Sequence, residues 1–95
     1  MYYLLMYDVV ADYAAKRVPL RDAHLGMVRE AHARGEIVMA GAHEDAKLEA
    51  IDGAVLVFKV DDAAVVQQFA DADPYVRNGL VTRVRIRRWN VVVGA

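Results

Sequence analysis

Seven consecutive apolar or aromatic residues open the chain, Met1-Tyr2-Tyr3-Leu4-Leu5-Met6-Tyr7. An unbroken run of that length predicts a strand covered on both faces. The period changes after Pro19. At about 100° per residue, Leu20, His24, Met27, Val28 and Ala31 share one stripe while Asp22, Arg29, Glu30 and Arg34 fall outside it. This predicts a helix over residues 19–34, with Pro19 in its first turn, Gly35 as its stop and His24 in the middle of its buried face. Residues 36–42 (Glu-Ile-Val-Met-Ala-Gly-Ala) predict a second strand ending at Gly41, and the almost wholly apolar residues 54–60 a third. The polar segment 43–53 between them carries Asp52-Gly53, a turn signal, and is long for a hairpin. Asp61 and Asp62 can cap a helix whose apolar side is Val65, Val66, Phe69 and Ala70, running to about Ala72 before Asp73-Pro74 interrupts it. In the last strand, residues 81–93, Arg83, Arg85 and Arg87 share one face and Val84 and Ile86 the other, an alternation suited to an edge.

The order is β-α-β-β-α-β, the ferredoxin-like pattern of an α+β fold. Right-handed crossovers place the first and third strands in the centre of a four-stranded antiparallel sheet, with both helices on one face. The two continuously apolar strands are the ones the topology makes central. The other face then needs a second cover, which two such sheets packed face to face would supply as a homodimer.

A length of 95 residues, 57% of them hydrophobic, is the content of one domain spanning residues 1–95. Folding at this size buries only about 60–65% of the unfolded chain's surface, which also favours an oligomer. Twelve Lys and Arg against thirteen Asp and Glu leave a formal charge of −1, with no net field toward nucleic acid or an anionic membrane. The lack of cysteine excludes disulfides, thiol nucleophiles and zinc ribbons, and fits a reducing compartment. The apolar start is broken at Asp8, far short of a membrane span or signal peptide, so a cytoplasmic location is expected.

Among the residues that can carry chemistry, His24 comes first. A histidine on an apolar helix stripe is ordinarily bonded to a backbone carbonyl, but Arg21 lies one turn before it near a helix start, where anions are favoured. Asp73 before Pro74 has the pattern of a helix N-cap. A carboxylate fixed in that way can still orient an imidazole. Contact between the two is feasible in this topology, although spacing alone does not require it.

Lys16-Arg17, Arg21-Asp22-Ala23-His24-Leu25, Ala40-Gly41 and Ala70-Asp71-Ala72-Asp73-Pro74-Tyr75-Val76 followed by Gly79 closely resemble the YciI-like family of small bacterial proteins. The resemblance runs from the first strand to Trp89. It implies a dimeric α+β barrel similar to muconolactone isomerases, with a His–Asp active-site pair that maps onto His24 and Asp73. One branch of that family removes chloride from chlorinated hydroxyquinols. The chain departs from the pattern at Ala42, where many members have proline, and at Asp22, where some do.

Other constellations point elsewhere. His24 and His32 are roughly 12 Å apart along a helix, too far to share a metal ion, so no metal is expected. The arginines of the last strand lack interleaved aromatics and suit a solvated edge, so no nucleic-acid partner is expected. No phosphate-binding glycine loop or nucleophile elbow is present. The expectation is a lyase or isomerase that needs no cofactor and acts on a small anionic or cyclic molecule. His24 is its general base, Asp73 orients it, and Arg21, Tyr75 and Tyr7 are the candidate substrate contacts. The alternative is a non-catalytic small-molecule binding or accessory protein with the same dimeric cleft.

Overall fold

The computed structural model describes residues 1–47 and 50–95. In chain order they form β1 (Tyr2–Val9), α1 (Tyr13–Lys16), a 3-10 turn (Val18–Leu20), α2 (Arg21–Ala33), β2 (Ile37–Glu44), β3 (Ile51–Lys59), α3 (Ala63–Ala72), α4 (Pro74–Arg77) and β4 (Val81–Trp89). The sheet order is β2-β3-β1-β4, with every neighbouring pair antiparallel. The two apolar strands are central and the arginine-bearing strand is an edge, so this is the ferredoxin-like α+β arrangement. No helix of the described residues is long and apolar enough to cross a membrane.

Alternation along β1 sets the layers. Tyr3, Leu5 and Tyr7 are buried and pair with Phe58, Leu56 and Ala54 of β3. They meet Ala31 of α2 and Val66, Phe69 and Ala70 of α3 in one core. Burying each large member of this set contributes about 1.5–3 kcal/mol. Leu4 and Met6 point the other way beside Val57 and Val55, and Met39 of β2 joins them opposite Val57. This second face is flanked on β4 by Arg85, Arg87 and Trp89. A smaller cluster of Tyr13, Tyr75 and Leu80 closes the end of the domain where α1 and α4 meet.

Several elements depart from the sequence reading. Helix α1 is too short to show a period, and it opens at Asp12, whose φ is 60°. Pro19 sits in the 3-10 turn rather than in the first turn of α2, which begins at Arg21. Strand β4 ends at Trp89 rather than Val93, because Trp89 pairs with Tyr2 and there β1 begins. Asp52-Gly53 is not a turn: both residues lie inside β3, with Gly53 opposite His43 on one side and Asp8 on the other. A Cβ at Gly53 would collide with the His43 ring and come within 2.7 Å of the Tyr7 carbonyl oxygen. Glycine therefore allows a close approach here. The expected loop over 43–53 shrinks accordingly, and residues 48 and 49 of it lie outside the described residues.

Candidate active site

Asp73 has no exposed surface. Its place follows from Pro74, which cannot continue α3 and instead starts α4. Asp73 ends the first helix and caps the second in extended conformation, its Oδ1 accepting from the Tyr75 N–H at 3.0 Å. The Tyr7 hydroxyl donates to Oδ2 at 2.8 Å. His24 Nδ1 lies 2.8 Å from Oδ1. Burial first, and then the Asp73 carboxylate, push the Tyr7 hydroxyl far above the usual tyrosine range, so it stays protonated and donates.

These contacts assign the histidine tautomer. An ionised carboxylate only accepts, so the proton between the two groups belongs on Nδ1, leaving the lone pair on Nε2. Nε2 makes no hydrogen bond to a described residue, and the side chain is 13% exposed. His24 therefore sits at the margin of the core rather than in the middle of a buried face. The reason lies opposite it on β2, where Ala40 and Ala42 pair with Leu56 and Ala54 on the helix side of the sheet. Such small side chains leave the space against α2 unfilled.

That space is a cleft of about 280 Å³ between α2 and β2. Tyr13, Arg17, Arg21, His24, Leu25 and Val28 line one wall, and Ala40, Gly41, Ala42, Glu44, Ile51, Ala54 and Leu56 the other, with Tyr75 at the end. The His24 and Tyr75 rings stack at 3.9 Å and 11°. The edge of the Tyr13 ring packs against Tyr75 at 5.6 Å and 84°, and the Arg17 guanidinium lies 5.3 Å from the Tyr13 ring centre.

Of the residues expected at the site, His24, Arg21 and Tyr75 line the cleft, and Asp73 lies behind His24. Tyr7 does not line it. Its hydroxyl donates to Asp73 behind the cleft wall. Sequence reasoning missed Arg17, Tyr13 and Glu44, since the elements around them show no period. It also missed the meaning of Ala40-Gly41-Ala42, a run of small residues in an edge strand that signals space. The other histidines lie elsewhere: His32 Nδ1 contacts the Ile37 carbonyl oxygen at 2.8 Å, and His43 Nδ1 lies 2.6 Å from Asp52 Oδ1. Among the described residues no three His, Cys, Asp or Glu side chains gather as a metal site.

Fold and cleft together define a small ferredoxin-like α+β domain with a histidine–carboxylate pair at the wall of a half-open pocket. The chain belongs to the family of YCII-related domains, whose model matches residues 1–90. It is 28% identical to the protein YciI of Escherichia coli, in an alignment covering 97% of this chain and 99% of YciI. Among solved structures, the 5-chloro-2-hydroxyhydroquinone dehydrochlorinase TftG of Burkholderia phenoliruptrix, in complex with 2,5-dihydroxybenzoquinone, has a TM-score of 0.79 at 22% identity, covering 94% of this chain and 93% of TftG. A putative antibiotic biosynthesis monooxygenase from Deinococcus radiodurans has a TM-score of 0.52 at 15% identity, covering 99% of this chain and 94% of its own. At these identities the two structures establish the shared fold.

Proposed function

We propose that the chain is a lyase or isomerase acting without a cofactor on a small anionic or cyclic molecule, with His24 as general base and Asp73 as its positioning residue. The observation that carries this reading is the arrangement of one imidazole. A fully buried carboxylate holds Nδ1 at 2.8 Å, while Nε2 has no partner among the described residues on the wall of a cleft. A histidine kept only for structure bonds to a carbonyl, as His32 does. In the proposed step Nε2 takes a proton from the substrate and the imidazolium formed is stabilised by Asp73. The proton then returns to another atom or leaves with a departing group. The name of TftG describes such a loss, and that likeness supports the elimination branch.

The working unit of the proposal is a homodimer. Half-buried Leu4, Met6 and Val55, with Val57 already buried between them, form an apolar sheet face away from both long helices, continued by Met39, which is 64% exposed. A second copy laid on this face gives it the cover that the first copy lacks. Light scattering is expected to give twice the chain mass, and a mass of 10.6 kDa at micromolar concentration would contradict the dimer.

The test of the catalytic reading is a turnover screen over chlorinated hydroxyhydroquinones and lactones with wild type and His24→Ala. The variant is expected to lose about 10²–10⁴-fold in turnover while remaining folded. Equal ligand protection of the two proteins against heat, with no turnover by either, would favour a binding module instead.

A further inference from the structure

We infer that Arg17, Arg21 and the hydroxyl of Tyr75 form a receptor for a planar oxyanion, so that the cleft selects small organic acids that dock a carboxylate there and lay an apolar body on the Ala40, Ala42 and Ala54 floor. This deepens the reading of the cleft as a substrate site and rests on it, though not on His24 being the base.

Tyr75 carries the argument. The residue is 1% exposed, and its hydroxyl oxygen, buried at the end of the cleft, has no well-aligned hydrogen-bond partner among the described residues, although the Arg21 guanidinium interacts with it. Buried hydroxyls are ordinarily satisfied, and one left open beside a cavity is satisfied by what enters it. Two cations face the same end. Neither Arg17 nor Arg21 forms an ion pair with a described carboxylate, although both line the cleft. Burial pushes the Tyr75 phenol up, against the opposing pull of the Arg17 and Arg21 guanidiniums that line the same cleft.

Guanidinium groups present flat, forked donors that match the two oxygens of a carboxylate, which a spherical ammonium does not. Arg17 is held in place over the Tyr13 ring. Arg21 is the first residue of α2, where the helix end adds positive potential and no side chain caps it. Glu44 lines the cleft from β2, so a second negative charge on the ligand would meet a like charge. Because His24 stacks on Tyr75 at 3.9 Å, an anion bound to the hydroxyl sits beside the imidazole.

The experiment is a calorimetric titration of the full chain with benzoate and with benzamide, its uncharged isostere. Benzoate is expected to bind saturably and at least about tenfold tighter than benzamide, the worth of one charge-assisted hydrogen bond. Arg21→Gln and Arg17→Gln should each weaken benzoate about tenfold or more, Tyr75→Phe less, and His43→Ala, at the exposed pair outside the cleft, hardly at all. Circular dichroism checks folding. If Arg17→Gln loses its fold with the Tyr13 contact, Arg17→Lys keeps the charge without the fork and should bind benzoate more weakly than wild type. Absence of saturable benzoate binding, equal binding of benzamide, or folded arginine variants that bind benzoate like wild type would each overturn the receptor. Arginine-dependent binding with no His24-dependent turnover would leave the receptor standing and remove the base. His24-dependent turnover of substrates with no arginine requirement would do the reverse.

Discussion

The molecule contains two histidine–aspartate pairs of nearly equal length and different surroundings. His24 and Asp73 meet at 2.8 Å with side-chain exposures of 13% and 0%, from elements 49 residues apart in sequence. His43 and Asp52 meet at 2.6 Å across one hairpin, with exposures of 51% and 54%. The exposed pair is screened by water and contributes about 0–1 kcal/mol. In the buried pair both carboxylate oxygens are committed, and one imidazole nitrogen, at a cleft, has no partner among the described residues. Equal distance therefore does not mean equal surroundings. What separates the pairs is the third and fourth groups, Tyr7 and the Tyr75 N–H, which fix Asp73 from behind.

Breaking the buried pair should have the largest effect. His24→Ala is expected to lower turnover about 10²–10⁴-fold, read by steady-state kinetics, and to cost about 1–3 kcal/mol of stability because it takes a donor from the buried carboxylate, while the protein remains folded. Asp73→Asn keeps the helix cap, since Asn caps well. It removes the charge that stabilises the imidazolium and should cost slightly less turnover than His24→Ala at nearly unchanged stability. Asp73→Ala differs, because it orphans buried donors at about 1–3 kcal/mol each, and denaturant unfolding should show the loss.

Tyr7→Phe tests the support behind the pair. It leaves Oδ2 without its donor, and the expected destabilisation is about 1–3 kcal/mol with a smaller loss in turnover. It also carries a pH signature. The folded Tyr7 pKa lies above the unfolded value of 10.0, so its contribution is intact below that pH and is lost as the pH rises, when the unfolded chain releases a proton the native state keeps. Alkaline unfolding of Tyr7→Phe should therefore be shallower than wild type by about 1.4 kcal/mol per pH unit. The smallest effect belongs to the exposed pair: His43→Ala should change stability by less than about 1 kcal/mol and leave turnover unaltered.

The fold was legible because two of its strands are wholly apolar, and topology makes those strands central. The paired residues were legible in kind, His24 by its stripe and Asp73 by the proline after it. Their meeting was legible only through the family resemblance, since spacing does not orient two side chains on different helices. The hydrogen bond of Tyr7 to Asp73 was not legible, because a sequence shows that a tyrosine ends a central strand and not which hydroxyl acceptor lies beneath the helices. The Asp52-Gly53 signal misled for a related reason. Glycine there accommodates a neighbouring ring, and a sequence does not distinguish close packing from a turn.

The central claim is that Asp73 holds the neutral His24 ring with its proton on Nδ1 and its lone pair on Nε2, facing the cleft. Long-range proton–nitrogen correlation spectra of the ring-labelled protein read this directly. At a pH where His24 is neutral, the account expects Nδ1 protonated and Nε2 bare in wild type. In Asp73→Asn it expects that preference to weaken toward the mixture of a free imidazole. A wild-type spectrum with the proton on Nε2, or one unchanged by Asp73→Asn, would contradict it.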